Sequence, residues 1–169
     1  PAQGLKVTKS MRNVLNRRPF RITMDRCFEE VVRQCQQAPR DGEGTWITDD
    51  IVDAYVALND LGVAHSVEAW RDDELVGGLY GVSLGRMFFG ESMFSTQSNA
   101  SKVAFIQLVR WLALNGFGPV DCQIMNPHLA SLAAVPWPRA QFQTQLSLFL
   151  HAAPTLKGPW TPHEHHLNA

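Results

Sequence analysis

Three runs suited to β-strands, separated by two turns, lie between residues 65 and 90 and fix most of what this chain can fold into. His65-Ser66-Val67-Glu68-Ala69-Trp70 and Glu74–Val82 flank the polar turn Arg71-Asp72-Asp73, a pattern that predicts an antiparallel hairpin. Leu84-Gly85 then turns the chain into Arg86–Gly90, which completes a three-stranded meander. Gly77 and Gly78 fall inside the middle strand. Glycine there weakens packing and marks a bulge or the close approach of another group, and a ligand is one occupant such a gap admits.

Helical patterns surround the meander. Thr8 or Ser10 can cap a short basic helix through Leu15, ended by the turn Arg17-Arg18-Pro19, and Phe20–Met24 reads as a strand. Asp25 is placed to cap a helix whose Phe28, Val31, Val32 and Cys35 recur at helical spacing and which stops before Pro39. Thr48 precedes Asp49 and Asp50, acids suited to the positive end of a helix dipole, and Ile51, Val52, Tyr55, Val56 and Leu58 form the apolar face that follows. Asn99 or Ser98 caps a longer helix from Ala100 to Leu114, which Asn115-Gly116 ends. Pro119–Met125 reads as a fifth strand, and Pro127–Ala134 and Arg139–Leu150 read as helices. The expected class is α+β, with a basic helix and linker at 1–19, a single domain at 20–153 and a C-terminal tail at 154–169.

Composition narrows the setting. A chain of 169 residues is long enough for one sizeable core. No apolar stretch approaches the roughly 20 residues needed to span a bilayer, so no membrane segment and no signal peptide are expected. Cys27, Cys35 and Cys122 are an odd number without CxxC spacing, which points away from a disulfide framework or zinc site and toward a reducing, cytoplasmic setting. Residues 1–26 hold Lys6, Lys9, Arg12, Arg17, Arg18, Arg21 and Arg26 against Asp25 alone, while the whole chain carries a net charge of −1. This asymmetry fits a patch for RNA or another polyanion, or else a solvated terminus. His163, His165 and His166 form a tail cluster that suits a metal less well than a solvated end.

Chemistry has few places to sit. Glu91 stands in an apolar run with Met87, Phe88, Phe89, Met93 and Phe94, where a carboxylate is costly unless it is paired or reaches solvent at the strand end. In the fifth strand Asp121 and Gln123 fall on one face and Cys122 on the other. An Asp that accepts a hydrogen bond from the Gln amide could aim the Gln carbonyl at a proton on an attacking amine, or the two could form a structural pair. Cys122 could act as a thiol nucleophile with His65 or His128 as base, but an apolar face disfavours its thiolate. Neither GxSxG, GxxxxGK[ST] nor GxGxxG occurs, so no hydrolase elbow or nucleotide-cradling loop is expected. Trp46, after a glycine-containing loop, could stack on a nucleobase or lie in the core.

Six segments, taken together and in order, resemble the leucyl/phenylalanyl-tRNA-protein transferases. They are Glu43–Thr48, Leu61–Glu68, Leu75–Val82, Gly90–Ser95, Asn99–Lys102 and Asp121–Gln123, within a likeness running from about Gly4 to about Phe149. The resemblance implies an acyl-CoA-N-acetyltransferase-like fold, with a mixed and mostly antiparallel sheet flanked by helices. It also implies an enzyme that moves Leu or Phe, and less readily Met, from aminoacyl-tRNA to the N-terminal Arg or Lys of a protein, marking that protein for degradation. No metal or other cofactor is implied.

By the same resemblance Asp121 and Gln123 form a catalytic relay, with the terminal ribose hydroxyl of the tRNA as a proton shuttle. Glu91 shapes the site and meets the cationic acceptor. Leu79, Phe88, Met93 and Leu108, with Ser92 beside them, line the substrate pocket, and Trp46 packs near the terminal adenosine. Lys6, Lys9, Arg12, Arg17 and Arg18 are the expected tRNA contacts. The chain departs from the family's pattern at Ala133, where Gly is usual, and at Pro136-Trp137-Pro138. Such a protein is expected to act as a cytoplasmic monomer. Two other activities remain open: a catalytically impaired tRNA-binding adaptor, and an acetyl-CoA-dependent N-acetyltransferase.

Overall fold

The computed structural model describes residues 5, 7–39, 44–125, 127–132, 134–153, 156 and 158–162. Lys6, Glu43, the side chain of His128, Ala133 and the histidines of the tail lie outside the described residues.

The meander forms as expected. β2 (Ala64–Arg71), β3 (Glu74–Leu84) and β4 (Met87–Ser95) are successive antiparallel neighbours, joined by turns at Asp72-Asp73 and Gly85-Arg86. β1 (Arg21–Met24) pairs antiparallel with β2, and β5 (Val120–Asp121) pairs parallel with β4, giving one sheet of order β1-β2-β3-β4-β5. A parallel neighbour requires a crossover, and α4 (Ala100–Leu114) supplies it between β4 and β5. This mixed, mostly antiparallel sheet flanked by helices is the expected class.

Helices cover both faces. α4 lies against β2, β3 and β4 and buries most of its circumference, which explains its nearly uninterrupted apolar sequence. On its face Ile22, Met24, Val67, Leu79, Phe88, Val103, Ile106 and Leu108 form the larger core, with Met11 of α1 (Lys9–Arg17) at its margin. Tyr80 and Phe94 point the other way, into a smaller core with Val31, Val32 and Cys35 of α2 (Phe28–Gln37) and Val52 of α3 (Asp49–Asp60). Short helix α5 (Pro127–Ser131) and α6 (Arg139–Leu150) follow β5. Thr8 and Thr48 cap α1 and α3 as expected, accepting from the Met11 and Ile51 N–H groups.

Several boundaries differ, each for a local reason. α1 continues past Leu15 to Arg17, closed by Arg18 in a left-handed conformation at φ 47°. Asp25 does not cap α2. It also adopts positive φ, Cys27 takes the cap position without a side-chain bond, and the Asp25 carboxylate serves β2 instead. β4 extends beyond Gly90 to Ser95, so Glu91 lies within a strand. The fifth strand contracts to two residues, because Gln123 turns to φ 60° and breaks the ladder. α5 stops at Ser131, short of Ala134.

The expected ligand gap at Gly77 is filled by the chain itself. A Cβ there would stand 2.6 Å from the Ala100 Cβ and 3.0 Å from the Ser101 nitrogen, so glycine admits the first turn of α4 onto the sheet.

Candidate active site

Glu91 owes its position to an irregularity in the ladder. Tyr80 pairs with Ser92, and Gly81 pairs with Gly90, so Glu91 is an extra residue opposite no partner. A bulge of this kind bends the strand and re-aims a side chain. The bulged Glu91 lies near the Tyr55 hydroxyl of α3, and burial, followed by the charge of that carboxylate, holds the phenol well above its ordinary titration range. Tyr55 also packs edge-on against Tyr80, with ring centroids 5.0 Å apart. The half-buried acid therefore has a fixed neighbour. Sequence reasoning assigned Tyr55 only to the apolar face of α3; a lone phenol among Ile51, Val52 and Val56 was the available signal.

On the other side of β4, Phe88 pairs with Val120 and Phe89 with Asp121. Asp121 Oδ1 accepts the backbone N–H of Gln123 at 2.8 Å, which closes a tight turn and accommodates the positive φ of Gln123. Gln123 Nε2 donates to the Gly90 carbonyl at 3.2 Å. The expected hydrogen bond from the Gln123 side-chain amide to Asp121 is thus replaced by two others. Asp121 fixes the Gln123 backbone, while the carboxamide is tethered to the residue preceding Glu91. Strand alternation, the original reason for pairing Asp121 with Gln123, ends at Asp121; a turn brings the pair together. With Nε2 committed, Oε1 is the end of the carboxamide suited to accept a proton-bearing group.

Four of the expected substrate residues share one neighbourhood, on the α4 face of the sheet, and Ser92 and Trp46 lie outside it. Leu79, Phe88 and Leu108 are buried in the α4-side core, and half-buried Met93 packs against them, opposite Leu79 on the adjacent strand. Ser92 is half-buried opposite Tyr80, toward the α3 side. Trp46 is 46% exposed at the approach to α3, so it is a surface aromatic and not a core residue. Cys122 is packed against the larger core, and burial followed by the Asp121 charge pushes its thiol up to about 11. A nucleophile needs the opposite shift. Among the described residues no group of three His, Cys, Asp or Glu side chains could hold a metal ion, and no helix is long and apolar enough to cross a membrane.

A model of the leucyl/phenylalanyl-tRNA protein transferase family matches residues 1–147, most of the chain. The chain belongs to this family. A leucyl/phenylalanyl-tRNA–protein transferase of Thiobacillus denitrificans is 51% identical over 162 residues, an alignment covering 95% of this chain and 70% of that protein. One from Anaeromyxobacter sp. is 51% identical and covers 93% of this chain and 67% of its own length. Another from Pseudoalteromonas atlantica is 46% identical, covering 97% and 70% respectively. Among solved structures, an aminoglycoside acetyltransferase from an uncultured soil metagenomic sample, in complex with trehalose, aligns over 85% of this chain and 93% of its own. Its TM-score is 0.41 and its identity 12%.

The basic residues of this family member gather on one flank. Lys9, Arg12, Arg17 and Arg18 are exposed along α1 and its C-terminal cap. Arg12 and Arg18 line a cavity of about 340 Å³ together with Arg110 and Gln107 of α4. No acid lines it. Arg110 lies on a helix that the sequence reads as core, where it is an exposed residue beside a mostly buried surface.

Proposed function

We propose that this chain catalyses transfer of an apolar aminoacyl group, Leu or Phe and less readily Met, from aminoacyl-tRNA to the α-amine of a protein beginning with Arg or Lys. The reading takes the protein as a cytoplasmic monomer acting in protein degradation. The observation that carries it is the joining of bulged Glu91, through Gly90, to the Asp121–Gln123 turn.

The reaction is ester aminolysis. The amine nitrogen attacks the aminoacyl carbonyl, a C–N bond forms, the C–O bond to the terminal ribose breaks, and the departing ribose oxygen takes the proton that the amine gives up. An α-amine has an ordinary pKa near 8, so a useful fraction is neutral at pH 7 and a weak acceptor suffices. Gln123 Oε1 receives the N–H of the attacking amine and orients it. Asp121 holds Gln123 in that attitude, and its negative charge favours the cationic nitrogen formed on attack. Glu91, steadied by Tyr55, meets the cationic side chain of the acceptor. Leu79, Phe88, Met93 and Leu108 surround the donor side chain, which would have to displace Met93 to reach the buried members, while Ser92 stands on the opposite face of the sheet. Trp46 offers a stacking face to the terminal base, and the basic flank of Lys9, Arg12, Arg17 and Arg18 attracts tRNA phosphates, with Lys6 adding charge in the preceding sequence.

The decisive assay combines purified protein, Leu-tRNA and a peptide with N-terminal Arg. Transfer is expected, with Asp121→Ala and Gln123→Ala each lowering kcat by at least about 100-fold, the lower range of a positioned proton acceptor. Glu91→Gln should mainly raise the KM for the peptide. Retention of tRNA without transfer would instead identify an adaptor, and acylation dependent on acetyl-CoA would identify an acetyltransferase.

A further inference from the structure

The segment around Trp160 enters the core. Trp160 is 2% exposed and stacks on His65 of β2, with centroids 3.8 Å apart and planes 5° from parallel. Phe88, Trp111 and Phe117 complete its surroundings at centroid distances of 5.8, 4.8 and 6.0 Å. Its backbone N–H donates to Asp25 Oδ2 at 2.7 Å; the same carboxylate contacts His65 Nδ1 at 2.7 Å and accepts the Ser66 N–H at 2.8 Å. Asp25 and His65 side chains are each 2% exposed. The buried acid thus ties the segment to β1 and β2. Close passage of Gly158 over Gly62, where a Cβ on Gly62 would stand 2.8 Å from the Gly158 Cα, gives the segment a second seat.

This wedge backs the candidate active site. β5 has two residues and two paired positions on β4, too few to fix it by ladder bonds alone. Phe88 is the β4 partner of Val120, Phe117 lies three residues before Val120, and both contact Trp160. Phe149 covers Gly118, where a Cβ would meet its ring at 2.6 Å, and Arg86 Nε binds the Ala153 carbonyl at 3.0 Å. Phe149 of α6 and Ala153 therefore pack beside the residues that lead into β4 and β5, at the end opposite the Asp121–Gln123 turn.

We propose that Trp160, clamped by Asp25 and His65, is a positioning residue that sets β5, and with it Asp121 and Gln123, for aminoacyl transfer. The inference rests on the transferase reading given above for the chemistry, although the placement of β5 can be tested without it.

Trp160→Ala, Trp160→Phe and Asp25→Asn are compared with Val32→Ala, a change in the core on the opposite face that lowers stability without touching the segment. Per folded molecule, Trp160→Ala should lower kcat about 10-fold or more with KM for the Arg peptide changed less than about 2-fold, the split expected when only transition-state geometry is lost. Trp160→Phe should restore most of the rate. In hydrogen exchange, the Gln123 amide should exchange about 10-fold faster in Trp160→Ala and Asp25→Asn than in the native protein, because its bond to Asp121 loosens locally. If Trp160→Ala does not fold, Asp25→Asn supplies both readouts against Val32→Ala. Turnover per folded molecule and Gln123 exchange no more affected than in Val32→Ala would overturn the proposal. Wild-type protein without transfer would refute the transferase reading, and the exchange arm would still decide whether Trp160 holds β5.

Discussion

Glu68 shows how one residue sets a pH dependence. It is buried on β2, where burial raises its carboxyl above the ordinary range, partly opposed by hydrogen bonds from Ser66 and Thr23. Above the unfolded pKa, near 4.3 for a free Glu, the native state keeps a proton that the unfolded chain has released. Its contribution therefore weakens stability as pH rises from the unfolded value through the folded one. Urea unfolding across that window should show a falling midpoint, and Glu68→Gln should flatten the fall; an unchanged slope would assign the dependence to another group. Cys122 gives a second residue-level test. With its thiol up at about 11, Cys122→Ala should retain transfer within about 3-fold, whereas a thiol nucleophile would lose it almost entirely.

Elements here are set by where glycine permits contact and where a ladder admits an extra residue. Gly77 lets α4 rest directly on β3. Gly77→Ala should cost about 1–3 kcal/mol, the usual penalty for overpacking, because the nearest atoms belong to another helix's backbone and Cβ rather than to a flexible side-chain end. Chemical denaturation would measure it, and a neutral result would mean that α4 is free to slide. The bulge at Glu91 works differently. Strand periodicity marked the apolar run and its lone acid, but an unpaired residue is defined only by the neighbouring strand's register, so the carboxylate's direction toward Tyr55 could not be read locally. The turn at Gln123 ended the fifth strand early for a related reason: Asp121 offered its carboxylate to the backbone, a local competitor to the ladder.

Across the whole molecule, charge and chain ends carry the consequences. Arg12 of α1, Arg18 at its C-terminal cap and Arg110 of α4 converge on one cavity without an acid. If tRNA phosphates lie there, Arg12→Ala combined with Arg18→Ala should reduce the slope of log affinity against log salt by about 1.5–2, as expected for two lost phosphate contacts. Filter binding with tRNA at several salt concentrations would measure this; an unchanged slope would place the nucleic acid elsewhere. The sequence by itself determined the meander, the cap of Thr48, the basic first helix with Thr8 or Ser10 as its cap, and the residues Glu91, Asp121 and Gln123 as the chemically unusual ones. Those are consequences of short-range geometry: turn chemistry, periodicity and the cost of a carboxylate among apolar side chains. Only the tertiary structure decided that Asp25 leaves its helix to bind Trp160, 135 residues away, and that Trp160 fills the core instead of trailing in solvent. It also brought Gln123 to Gly90, 33 residues earlier. A buried donor or acceptor must find a partner wherever the fold supplies one, and the identity of that partner depends on the packing of all the elements between them.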